Sequence, residues 1–271
     1  MPTASFRLPV GFMRRFNRGG TKSRLVRIQV ANLSEYFAVL AAQLKGGDQF
    51  WFGGHADAGW SLTPGALRFD AAKARKTALD LIYEFKRAVE LRIEAPSGRD
   101  AELRWVQLAQ HYGLPTRLLD WTRNAAIALY FACLRPDVHG AVYVLSPMEL
   151  NSHARPRAPR VFDADRDMPL IEQYLALDGY KRRTGMRTIA IEPTWNSERI
   201  MLQQGCFTLH GSREFALTWD QARSLCCIPI LHDAKRDLLT ELSNIGVRER
   251  FIFPEPEHVC SDLKRGSGLA D

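Results

Sequence analysis

Hydrophobic and polar positions along this chain follow two periods, and the switch between them marks out its elements. Residues 125–132, Ala-Ala-Ile-Ala-Leu-Tyr-Phe-Ala, are apolar on nearly every side. A helix hydrophobic all round lies inside a core, so this segment predicts a buried central helix. Leu79, Ile82, Phe85, Val89 and Ile93 recur at helical spacing and predict an amphipathic helix over 71–94. Pro96, Ser97 and Gly98 break it, and a further helix is expected over 102–112, stopped by Gly113 and Pro115. Asn32 or Ser34 is placed to cap a helix running to about Leu44, Asn196 or Ser197 one ending at Gln204, and Asp233 one carrying Leu238, Leu239, Leu242 and Ile245.

Strand patterns interrupt these helices. Alternating or β-branched runs at 25–30, 49–52, 140–145, 186–191, 206–210 and 226–231 predict strands. The stretch 151–169 reads as a long loop, a length that in compact domains signals function or disorder. Helices precede a strand-rich second half without a clean linker, so the expected class is α+β, a single mixed domain with helices packed on a central, mainly antiparallel sheet. The boundaries are a flexible basic arm at 1–24, the domain at 25–255 and a flexible tail at 256–271.

Charge sharpens the picture of the arm. The net charge is +7, and residues 1–30 hold seven Lys or Arg with no Asp or Glu, which leaves thirty of each sign in the rest (37 − 7 basic, 30 acidic). Such a segment suits nucleic acid or an acidic protein as partner. No stretch reaches the roughly 18 consecutive apolar residues of a membrane span, and the first thirty residues lack a secretory apolar region, so a cytoplasmic location is expected. The five cysteines have no Cys-x-x-Cys spacing, which speaks against a disulfide framework or a zinc site. His232-Asp233 is too short a pairing to make a metal site, and no metal ligand is assigned.

Candidate chemistry concentrates before the buried helix, where His111, Thr116, Arg117, Asp120, Thr122 and Arg123 crowd one short run. A helix N-terminus carries unpaired N–H groups and partial positive charge, a ready anion site. Asp120, set between Leu118-Leu119 and Trp121, is expected to be at least half buried and to need a partner, Arg117 or Arg68. His111 has the side chain whose ordinary pKa lies closest to neutrality. Gly53 and Gly54 permit either a tight turn or close ligand approach. Arg68, Arg117, Arg123 and Arg199 are candidates to neutralise phosphates through bidentate contacts.

The run from Leu108 to Ala132 (LAQHYGLPTRLLDWTRNAAIALYFA) closely resembles the signature of the FRG domain family, found mostly in microbes. Phe52-Gly53-Gly54-His55 with Trp60, Leu62, Pro64 and Arg68 resembles the family's opening Phe-Arg-Gly-Gln and Trp-x-Leu-x-Pro-x-x-x-Arg. Arg199-Ile200 and Gln203-x-Gly205-x-Phe207 resemble its later Arg-Ile-x-x-Gln-x-Gly-x-Phe. The resemblance spans roughly 28–255, and the family's eponymous Arg is Gly53 here. It implies one site joining His55, His111, Asp120, Thr122 and Gln203 as catalytic candidates to Gly53, Gly54, Trp60, Arg68, Arg117 and Arg199 as ligand-binding candidates. By loose analogy in the order of elements, the implied ligand is nucleotide-like, with NAD as cofactor and ADP-ribosyltransferase-like chemistry, in an anti-phage defence or toxin setting. The alternative expectation is a non-enzymatic module that recognises nucleic acid or protein through its arm.

Overall fold

The computed structural model describes residues 30–44, 49–69, 72–175, 185–194, 197–211, 216–218, 221–222 and 225–268. The basic arm, and the strand expected at 25–30 apart from Val30, lie outside the described residues. Ten helices and seven strands are present among those described. They run α1 (Leu33–Gln43), β1 (Trp51–His55), α2 (Ala72–Val89), α3 (Ala101–His111), β2 (Leu118–Thr122), α4 (Ala125–Cys133), β3 (Gly140–Leu145), α5 (Pro147–Ala154), β4 (Phe162–Asp163) and α6 (Met168–Leu175). There follow β5 (Ile189–Glu192), α7 (Glu198–Leu202), β6 (Gly205–Leu209), β7 (Cys226–Ile230), α8 (Lys235–Asn244), α9 (Glu249–Ile252) and α10 (Pro256–Gly266).

One seven-stranded sheet, in the order β4-β5-β6-β2-β1-β3-β7, organises these elements. Every pairing is antiparallel except β4 with β5. The protein is therefore an α+β single-domain arrangement with helices packed against a mainly antiparallel sheet. Pro229, which has no N–H to give, sits in β7 at the sheet's edge, where a missing ladder bond is tolerated. No helix among the described residues is long and apolar enough to cross a membrane.

Helix α4 is the centre of the largest apolar cluster. Ala128, Leu129, Ala132 and Cys133 are fully buried with Val142, Val144, Leu238 and Leu242. Burying an Ile or Leu of this kind stabilises the fold by about 1.5–3 kcal/mol. The helix lies unusually close to the sheet because two glycines face it. A Cβ on Gly54 would stand 1.9 Å from the Ala128 carbonyl oxygen, and one on Gly140 would stand 2.2 Å from that of Ala132. Gly54 is thus a packing requirement, not a turn.

Five expectations are corrected. Residues 118–122, read as a polar approach to the helix, form the central strand β2, because Leu118, Leu119 and Trp121 are claimed by clusters on both faces of the sheet. The anion site expected at the start of α4 is filled from within: the Asn124 side chain accepts from the Ala126 N–H at 3.0 Å. Residues 151–169 contain the end of α5, β4 and the start of α6 in place of one long loop. The tail expected to be loose instead forms α10, tied to α9 by Arg265–Glu249 at 2.6 Å and Arg250–Asp262 at 3.2 Å. Asp233 belongs to a short 3-10 turn and pairs with His232 at 2.6 Å instead of capping α8.

Candidate functional site

The seams of the sheet are unequal. Strand β1 shares five register pairs with β3, and β2 shares five with β6, yet β1 and β2 meet only at Phe52 opposite Thr122. Where these two central strands part, a cleft of about 690 Å³ opens. That is the size of pocket that encloses a small ligand. The walls are the strands themselves, α3 with residues 93–97, and α7 with the turn that follows it.

Ten of the eleven expected site residues line this cleft: Gly53, Gly54, His55, Trp60, Arg68, His111, Asp120, Thr122, Arg199 and Gln203. Arg117 does not join them. It is buried at the far side of β2, where its guanidinium donates to the carbonyls of His210, at 2.5 Å, and Gly211, at 3.0 Å. Successive side chains along a strand point to opposite faces, so Arg117 and Asp120, three residues apart, do not pair. Arg123, likewise offered as a phosphate ligand, binds Glu192 at 2.7 Å.

Asp120 is exposed to the cleft. A relay of hydrogen bonds positions it: the Leu118 N–H donates to the Thr116 hydroxyl at 3.0 Å, Thr116 donates to Gln110 Oε1, and Gln110 Nε2 donates to Asp120 Oδ1 at 2.7 Å. Loss of hydration pushes the carboxyl's pKa up, against the Gln110 hydrogen bond and the fields of Arg199 and Arg68. Gln110 was missed in the sequence. Its signal was its place in the Gln-His pair of the 108–122 motif, one turn of α3 before the chain turns into β2.

The pKa values of both imidazoles, His55 and His111, are lowered. His55 meets Trp60 and Tyr143 edge-on, with ring centroids 6.2 and 5.0 Å away. Burial lowers its pKa to about 4, helped by Arg68 and opposed by the Trp60 backbone and Asp57. Burial also lowers His111, as does Arg199, while Glu255 draws it upward. Glu255, the last residue of the expected domain, stands 3.5 Å from His111 and 3.4 Å from Arg199. The Arg199 guanidinium also lies over the Phe253 ring, 4.6 Å from its centroid. The C-terminal turn thus presents an arginine to the cleft already oriented.

Thr122 and Gln203 spend their polar groups on the framework. The Thr122 hydroxyl donates to the Gln203 carbonyl at 2.6 Å and accepts from the Asn124 N–H at 3.0 Å. Gln203 Nε2 donates to the Ile252 carbonyl at 3.1 Å. Arg68 keeps one nitrogen on the Thr63 carbonyl at 2.9 Å and is otherwise exposed toward the cleft. At Gly53 a Cβ would touch the Trp121 ring at 3.2 Å, so a side chain there needs that indole to give by a few tenths of an ångström. Burial pushes the thiols of Cys133, Cys226 and Cys227 up to about 12, which leaves them protonated and inert.

Fold and site together define an α+β protein with a cleft between two parted strands of its sheet. Residues 48–140 match the model of the family described as FRG domain, the family that the chain's motifs resemble. The matched span contains β1, α3 and β2, whereas Arg199 and Gln203 reach the same cleft from outside it, with Glu255 pairing to Arg199. No curated protein and no solved structure matches the chain.

Proposed function

We propose that the cleft binds a nucleotide and that the protein is an ADP-ribosyltransferase-like enzyme using NAD, acting in microbial defence or as a toxin. The observation that carries this reading is Asp120: a carboxylate with a raised pKa, fixed by Gln110, in a cleft where Arg68 and Arg199 supply positive charge. The two arginines suit a diphosphate, which their planar N–H groups bind in pairs. His55 and Trp60 offer uncharged ring surface to a base. As the bond between ribose C1′ and nicotinamide breaks, positive charge grows on the sugar, and a carboxylate beside it stabilises that charge. An acceptor oxygen or nitrogen then bonds to C1′, and its proton passes to Asp120. Incubation with NAD should release nicotinamide and transfer labelled ADP-ribose to an acceptor or to water. Absence of both turnover and NAD binding at millimolar concentration would remove the proposal.

The charge confined to residues 1–30 favours a second reading, a module that docks nucleic acid or an acidic protein through its arm. Such binding should weaken steeply with salt and vanish on removal of residues 1–24 with the fold unchanged. Binding indifferent to that truncation would eliminate it.

A further inference from the structure

Gln107 lies on α3, one turn beyond Arg104 and one turn before His111, and all three line the cleft. Its side chain is 6% exposed, and among the described residues neither Nε2 nor Oε1 has a hydrogen-bond partner. The contrast with Gln110 on the same helix is direct, since both amide atoms of Gln110 are engaged. Packing does not demand an amide here: Leu103, Val106 and Ala109 supply the apolar contacts of α3. Arg104 places a second buried, unpaired donor, its Nε, on the same wall, while its Nη1 holds the Ser97 carbonyl at 3.1 Å. Buried amides are normally satisfied because a dry, unpaired one has lost its bonds to water for no return.

The geometry points to a base-reading subsite, in which Gln107 pairs bidentately with the adenine edge of a nucleotide held in the cleft. The Gln107 Oε1 accepts from the exocyclic N6 amine and its Nε2 donates to N7, the pairing whose donor and acceptor a glutamine amide matches. Hypoxanthine presents two acceptors at that edge and leaves Oε1 facing an oxygen. A nicotinamide carboxamide offers the same donor and acceptor as adenine, so the two ends of NAD must be tested apart. This inference rests on the nucleotide reading above and adds which part of the ligand α3 takes.

The test is calorimetric titration of the full chain and of Gln107→Leu with AMP, IMP and nicotinamide mononucleotide, together with thermal melting without ligand. The wild-type chain should bind AMP tighter than IMP by about tenfold to a hundredfold. Gln107→Leu should bring that ratio close to one and should also raise the ligand-free melting temperature, because it removes an unpaired buried amide. A ratio untouched by the substitution, or a lower melting temperature, overturns the subsite while leaving nucleotide binding intact. Dependence on Gln107 for nicotinamide mononucleotide but not AMP overturns the adenine assignment. Failure of the wild-type chain to bind any of the three overturns both this inference and the nucleotide reading.

Discussion

Strand β1 has two long edges, and they do opposite work. Toward β3 it is zippered over five pairs, with α4 pressed on the seam at Gly54 and Gly140. Toward β2 it touches once and parts, and the gap collects the arginines, the histidines and Asp120. Along the closed seam the two strands pair without a break, and apart from His55 and Tyr143 the side chains are apolar or absent. Along the open one, side-chain relays such as Thr116–Gln110–Asp120 hold the polar groups in place. A site needs groups that are fixed yet free to meet a ligand, and only the parted seam supplies them.

The largest test of this contrast is Gly54→Ala, on the closed side. The added methyl meets a helix carbonyl that cannot move without shifting α4, and overpacking of this kind costs about 3 kcal/mol or more. Chemical denaturation should show a severe loss of stability or no folded protein. An unaffected midpoint would mean that α4 is not pinned to the sheet.

Asp120→Asn, on the open side, should divide stability from activity. Loss of the proton acceptor should reduce nicotinamide release by about 10²–10⁴-fold. Stability should hardly fall, because the amide carbonyl still accepts from Gln110. The raised carboxyl pKa means that wild-type stability drops as pH rises from the ordinary carboxylate range through the folded value, and Asn removes that drop. A large destabilisation at neutral pH would instead make Asp120 part of the scaffold.

His55 should give a pH signature of intermediate size. Its folded pKa lies below its ordinary 6.5, at about 4. In that window the unfolded chain takes a proton that the folded chain refuses, so the stability present above pH 6.5 is lost as pH falls toward 4. The full swing is about 3 kcal/mol for a shift of this size. Comparing denaturation free energies at pH 7 and pH 4 in wild type and His55→Gln checks it: the substitution should flatten the profile, and equal slopes would contradict the burial of His55.

The smallest effect is expected one residue away from the first. Gly53→Arg restores the residue usual in the family, on the face of β1 toward Trp121. Displacing the indole slightly should cost about 1 kcal/mol. The new cation should tighten NAD binding severalfold, and at raised salt that gain should shrink. A cost as large as that of Gly54→Ala would erase the difference between the two sides of β1.

Much of this contrast was written in the chain. The all-round apolar pattern of 125–132 set α4 in the core, and the residues implied by the family resemblance meet in one cleft with the sole exception of Arg117. Period and composition report local environment, which is why the buried helix and most strands were legible. They could not separate the polar residues of 116–123 by direction. That run alternates across β2, so Asp120 and Arg117 face different surroundings, and the alternation shows only once Leu118 and Trp121 are seen to be claimed by opposite clusters.

The sequence by itself therefore determined the class of fold, the central helix and the pool of residues from which a site is drawn. Tertiary structure alone decided which of them converge: that β1 and β2 part after one pair, that Gln110 holds Asp120, and that Glu255, at the last position of the expected domain, orients Arg199. The reason is physical. Hydrophobic burial is written residue by residue in the chain, whereas convergence depends on contacts between segments far apart in sequence, which no local pattern encodes.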